Sequence, residues 1–123
     1  MTLARKNIVR AALHAKKPFS ALEMHAMFLG RGHSIDKVTV YRELAFLEEQ
    51  GILRGLTFKD AVKRYEIVTD SHRHHLICTR CNKVEDVEME NDLNVLERQI
   101  EEEKSFRVRS HSLEFYGLCS RCA

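Results

Sequence analysis

The sequence predicts an α+β chain of two small domains. The first, residues 1–69, is helical with a closing hairpin. The second, residues 70–123, is a small α/β unit with a four-cysteine zinc site. Three observations predict this division. The first 50 residues show three successive stretches of helical apolar periodicity, and two short strand-like runs follow them. The only cysteines form two C-x-x-C pairs, Cys78/Cys81 and Cys119/Cys122. Charge divides with them: residues 1–70 hold 12 Lys/Arg against 8 Asp/Glu, residues 71–123 hold 8 against 10. The chain has 123 residues, and halves of about 60 residues have marginal cores. A structural metal or a dimer is therefore expected.

Residues 4–15 place Ile8, Val9, Ala12 and Leu13 on one helical face, and Lys16-Lys17-Pro18 stops the helix. Ser20-Ala-Leu-Glu23 is a capping box, opening a second helix whose apolar stripe is read as Leu22, Ala26 and Leu29. Gly30-Arg-Gly32 ends it. A third helix is predicted from Asp36 to Gln50 with Gly51 as its C′ residue; Val40, Leu44 and Leu47 share one face. The opposite arc carries Thr39, Tyr41 and Arg42, unusual choices for a merely solvated face. Ile52–Phe58 and Val62–Val68 read as strands joined by a turn at Lys59-Asp60-Ala61. Three helices and a hairpin make the pattern of a winged helix, a helix-turn-helix variant.

In the second half, His74–Cys78 and Lys83–Glu88 read as strands joined through the first C-x-x-C turn. Asp92–Lys104 reads as a helix with Leu93, Leu96 and Ile100 on its apolar stripe. Phe106–His111 and Leu113–Tyr116 are strand-like. So few strands leave open edges and apolar surface, which a homodimer would cover. The boundary is expected at Val68–His72. There is no apolar run near 18 residues, so no membrane span is expected. With no signal-peptide h-region at the N-terminus, a cytoplasmic location is expected.

Two C-x-x-C turns can each direct two thiolates at one ion, so Cys78, Cys81, Cys119 and Cys122 are predicted to hold a structural Zn2+. Two disulfides or a redox-active thiol pair are the alternatives. An ion saturated by four thiolates has no place for the neighbouring His72-Arg73-His74-His75 run. Strand alternation puts His72 and His74 on one side, where His111 can join them as a third imidazole.

These residues resemble the ferric uptake regulator family of bacterial metal-sensing repressors. The resemblance is carried by Thr39-Val-Tyr-Arg42 with Leu44, Leu47 and Gly51, then Tyr65-Glu66 and His72-x-His74-His75-Leu-Ile-Cys78-x-x-Cys81. Lys83-Val-Glu-Asp86 and His111-Ser-Leu-x-x-Tyr-Gly-x-Cys119-x-x-Cys122 complete it. It implies a homodimer of winged-helix DNA-binding domains that represses when a regulatory divalent metal, Fe2+, Zn2+ or Mn2+, is bound. It places His72, His74 and His111 at one non-cysteine site. The matching carboxylate position falls near Asn94, and Glu97 or Glu101 can reach instead. It assigns Glu66, His75 and Asp86 to an inter-domain site from which two expected histidines are missing, one replaced by Arg73 and the other at or near Pro18. The helix many members carry ahead of residues 2–15 has no counterpart, so its DNA contacts are expected to be absent.

The resemblance also makes Thr39, Tyr41 and Arg42 recognition-helix residues for double-stranded operator DNA. Tyr41 can meet a thymine methyl, and Arg42 and Arg5 are phosphate partners. Lys37 adds charge near the helix N-terminus, and Lys63 and Arg64 suit the wing. No small-molecule substrate is expected. An enzyme is the competing class, because three histidines around zinc can activate water, but no general base or oxyanion donor set is identifiable. A zinc-stabilised DNA-binding protein that ignores regulatory metal and a peroxide or redox sensor are further alternatives.

Overall fold

The structure, a computed structural model, describes residues 2–69, 73–88 and 93–123. It divides into two compact units, Met1–Thr69 and Asp70–Ala123.

In the N-terminal unit, helix α1 (Leu3–His14) begins at Thr2, whose side chain accepts from the Arg5 N–H. A two-residue strand β1 (Phe19–Ser20) precedes α2 (Ala21–Gly30), and α3 (Lys37–Glu49) follows. Ser20 and Glu23 form the reciprocal capping box: Ser20 Oγ accepts from the Glu23 N–H at 3.1 Å, and Glu23 Oε1 from the Ser20 N–H at 2.9 Å. α3 ends at Gly51, whose φ of +76° is the left-handed turn expected of a C′ glycine. Strands β2 (Leu53–Thr57) and β3 (Lys63–Ile67) form the antiparallel wing, and β1 adds to the other edge of β3. The order β1-β3-β2 makes a three-stranded sheet where the sequence shows only a hairpin. At the wing turn Ala61 takes φ +62°, held by Asp60 Oδ1 accepting the Val62 N–H.

One apolar cluster runs through this unit: Ile8 and Ala12 from α1, Met24 and Phe28 from α2, Val40, Leu44 and Leu47 from α3, and Leu53 and Tyr65 from the wing. The face of α2 differs from the sequence reading. Ala21, Met24 and Phe28 are buried, whereas Leu22 and Leu29 are 54% and 55% exposed. Met24 and Phe28 pack into the apolar cluster, and that packing selects the inward row of α2. Leu13 is likewise exposed, the inward row of α1 being Ile8 and Ala12.

The C-terminal unit contains β4 (Arg73–Cys78), β5 (Val84–Glu88), α4 (Asn94–Lys104) and β6 (Glu114–Gly117). β4 is central, antiparallel to β5 and parallel to β6. The expected strand Phe106–His111 is not one: residues 106–113 carry no regular structure. Ser105 takes φ +50° after α4, and the Val108 N–H donates to Glu101 Oε2 at 3.0 Å instead of to a strand. The expected start of α4 at Asp92 lies outside the described residues. No residue of α4 is buried: of the predicted stripe, Leu96 and Ile100 are exposed with Val95, and Leu93, at the N-cap, is half-buried.

Candidate metal centre and nucleic-acid interface

The parallel pairing of β4 with β6 explains how pairs separated by 37 residues meet. Cys78 is opposite Gly117, so both C-x-x-C turns leave the same end of adjacent strands. Each turn is closed by backbone. The Asn82 N–H donates to the Cys78 carbonyl at 2.9 Å, with Asn82 at φ +62°, and the Cys122 N–H donates to the Cys119 carbonyl at 3.0 Å. The Thr79 N–H ties the turns together by donating to Gly117 O at 2.8 Å.

The four sulfurs lie within 4.8 Å of one another, and Cys81 Sγ is 3.7 Å from Cys119 Sγ. A tetrahedral ion with Zn–S near 2.3 Å has sulfur–sulfur edges of about 3.8 Å, whereas a disulfide needs about 2.05 Å. All four cysteines are free thiols. The donor set therefore fits Zn2+, and the disulfide alternative falls. The backbone N–H groups of Cys81 and Cys119 lower the Cys78 thiol to about 6. The Arg121 N–H lowers Cys119 in the same way. Cys122, sharing a hydrogen bond with Cys119, is pushed up to about 12. Without a cation the cluster cannot hold four negative sulfurs; a divalent ion removes that repulsion.

A second cluster lies in the same unit. His111 Nδ1 meets Glu97 Oε1, and the His111 ring stacks on His74 with centroids 5.5 Å apart. His74 is buried. His111 thus touches both the Glu97 carboxylate and the His74 ring; Glu101 is turned to Val108, and Asn94 is exposed. His72 lies outside the described residues. Neutral imidazole and carboxylate suit Zn, Fe or Mn.

On the opposite alternation of β4, His75 faces Asp86 across the β4–β5 ladder, Nε2 to Oδ1 3.4 Å, with both side chains largely buried. Glu66 belongs to the N-terminal unit, where it is buried and receives the Arg54 guanidinium. The side chain of Arg73 lies outside the described residues.

In the N-terminal unit, α3 buries Val40, Leu44 and Leu47 and exposes Lys37, Val38, Tyr41 and Arg42; Thr39 is half-buried. Tyr41 is 46% exposed. The other predicted DNA-contacting cations are engaged within the unit. Arg5 Nε donates to Glu43 at 2.7 Å. Lys63 reaches Glu48 at 2.8 Å. Arg64 is buried, with its guanidinium on Asp60 at 2.7 Å. A Cβ at Gly55 would collide with the Glu48 carboxylate and lie 2.8 Å from Lys63 Cε, so glycine there lets the Lys63–Glu48 bridge cross β2. Glu43 and Glu48 lie far in sequence from the cations they hold, so sequence inspection does not detect those two pairs.

The model of the ferric uptake regulator family matches residues 1–116. The chain belongs to that family.

A ferric uptake regulation protein of Neisseria meningitidis is 34% identical over 110 residues, covering 89% of this chain and 75% of its own. The peroxide operon regulator of Bacillus subtilis is 29% identical over 123 residues, covering 100% and 83%. The structure of the ferric uptake regulator of Francisella tularensis with iron superposes with a TM-score of 0.85 at 27% identity, covering 99% of this chain and 92% of that one. Ferric uptake regulator family members are metal-responsive transcription regulators, and the winged helix followed by a small α/β unit is their architecture. Among the described residues no helix is long and apolar enough to cross a membrane.

Proposed function

We propose that this chain is a repressor that binds operator DNA as a homodimer when a regulatory divalent metal is bound. The observation that carries the reading is the pairing, in one family member, of an α3 face exposing Tyr41 and Arg42 with the His74–His111–Glu97 cluster. His72 is proposed to complete that cluster, and Glu66, His75 and Asp86 to serve as the ligand set that the resemblance assigns. Val95, Leu96, Ile100, Phe106 and Phe115 leave an apolar surface on the C-terminal unit, which supports a homodimer as its cover. Bound metal supplies charge and a fixed cross-link among imidazoles and carboxylates, lowering the ordering cost of presenting two DNA-binding heads at two half-sites. Tyr41 then reads a base edge while Arg42 and Lys37 meet phosphates.

The test is fluorescence anisotropy on duplex DNA from the protein's own promoter region. Zinc-loaded protein stripped of weaker metal is titrated with and without Fe(II), Mn(II), Zn(II) and Ni(II). One metal should raise affinity at least about tenfold, equivalent to about 1.4 kcal/mol of coupling. Tight binding indifferent to every metal would leave a zinc-stabilised DNA-binding protein. Loss of binding on peroxide treatment of the iron-loaded form would identify the peroxide-responsive branch, to which the Bacillus subtilis relative belongs by name.

A further inference from the structure

Two of the acidic side chains of α3, Glu43 and Glu48, are each held by a cation from a different element. Lys63 of the wing takes Glu48, and both of its partners are substantially solvated. Arg5 of α1 takes Glu43 in a tighter arrangement. Its Nε donates to Oε2 at 2.7 Å and its Nη2 to Oε1 at 3.4 Å. Its guanidinium lies 3.9 Å above the centre of the Phe46 ring. Arg5 and Glu43 side chains are 27% and 12% exposed. A two-pronged bond stacked on an aromatic face uses the planarity of guanidinium and fixes direction as well as distance. Phe46 itself packs against the apolar cluster. Glu43 directly follows Arg42, and Phe46 is one turn beyond Arg42 on the same helix.

We propose that Arg5 is a positioning residue: through Glu43 and Phe46 it sets the rotation and depth of α3, and so the aim of Tyr41 and Arg42. It is not one of the phosphate contacts, the role its charge and place in the sequence suggest. A guanidinium already held by a carboxylate and a ring must give up both to reach a phosphate. The inference rests on the proposed DNA-binding function.

The two roles differ in salt dependence. A phosphate contact contributes about 0.9 to the slope of log K against log salt; a brace contributes nothing to it. Duplex binding is measured over a salt series for wild type, Arg5→Leu, Glu43→Gln and the double variant, with Tm recorded for each. Arg5→Leu should weaken binding about tenfold, about 1.4 kcal/mol, with an unchanged slope. Glu43→Gln should weaken it comparably, although it makes the surface more positive. The double variant should be no worse than either single one.

Thr2→Ala serves as the control for mere destabilisation. It removes the cap on the Arg5 N–H and should lower Tm by about 4–8 °C while leaving affinity within about twofold. A slope that falls by about 0.9 per Arg5 removed, or tighter binding by Glu43→Gln, would overturn the proposal. Equal affinity loss in Thr2→Ala and Arg5→Leu would do the same, reducing Arg5 to a stability role. Wild-type protein without duplex affinity would instead remove the DNA-binding function, and the double-mutant cycle on Tm would still report whether Arg5 and Glu43 are coupled.

Discussion

The two units have similar lengths and are held together differently. In the N-terminal unit a continuous apolar cluster links α1, α2, α3 and the wing, with Ile8, Val40 and Leu44 fully buried. Among the described residues of the C-terminal unit the buried apolar side chains are Ile77, Cys78 and Val84, and α4 contributes none. Beside them two imidazoles are buried, His74 and His75, whereas the ionisable side chains buried in the N-terminal unit, Arg64 and Glu66, are each held by an opposite charge of that unit. A core of hydrocarbon confers stability that needs no ligand, whereas a cluster of four thiols gains its stability from a bound cation.

The strongest way to break this comparison is to remove zinc. Stripping it with a strong chelator under reducing conditions, or replacing Cys119 with Ser, should unfold the C-terminal unit, since structural zinc contributes about 10–16 kcal/mol at neutral pH. The helical signal of residues 2–49 should survive. Two-dimensional amide NMR separates the halves; a metal-free C-terminal unit with native dispersion would refute the contrast.

Smaller effects sharpen it. Leu44→Ala opens a hole in the N-terminal cluster and should cost about 2–5 kcal/mol in urea unfolding. Leu96→Ala, on the exposed face of α4, should cost under about 0.5 kcal/mol in dilute protein. Its cost should grow with protein concentration if a second copy covers that face. Equal, concentration-independent losses at the two positions would mean that α4 is packed within the unit.

The smallest effect concerns the wing. The hydrogen bond from Arg64 holds the Asp60 carboxyl below its ordinary 3.8. A depressed carboxyl contributes stability that is complete above the unfolded pKa and is lost as pH falls through the folded value. Arg64→Met should therefore move the Asp60 carboxyl titration, followed by 13C NMR, upward toward 3.8. An unchanged midpoint would mean that the guanidinium does not set it.

Local signals carried much of the fold. Ser20/Glu23, Gly51 and the Val40/Leu44/Leu47 row are visible because capping chemistry and helical period act within a few residues. Signals that act at a distance were missed. The α2 stripe at Leu22/Leu29 was misplaced because either row of that apolar helix could face inward, and only packing chooses Met24 and Phe28. Strand β1 depends on pairing with β3, some 45 residues away, and two residues carry no period. Phe106–His111 has β-like composition but pairs with no strand among the described residues. At the sites, cysteine spacing matches the sulfur cluster, and strand alternation matches His74 beside His111 with His75 on the other face; Asp86 as the neighbour of His75 is legible only through the family resemblance. The engagement of Arg5, Lys63 and Arg64 by Glu43, Glu48 and Asp60 was hidden, because isolated acids in a sequence do not announce their partners.

The knuckles at the shared end of β4 and β6 have one more consequence. Side chains alternate along a strand, so sliding β4 by one residue would exchange the faces presented by His74 and His75. With Cys78 opposite Gly117 and four sulfurs converging on one point, such a slip would pull the tetrad apart. The sulfur cluster thus acts as a vernier: it fixes the sheet in the single alignment that lays His74 against His111 and His75 against Asp86.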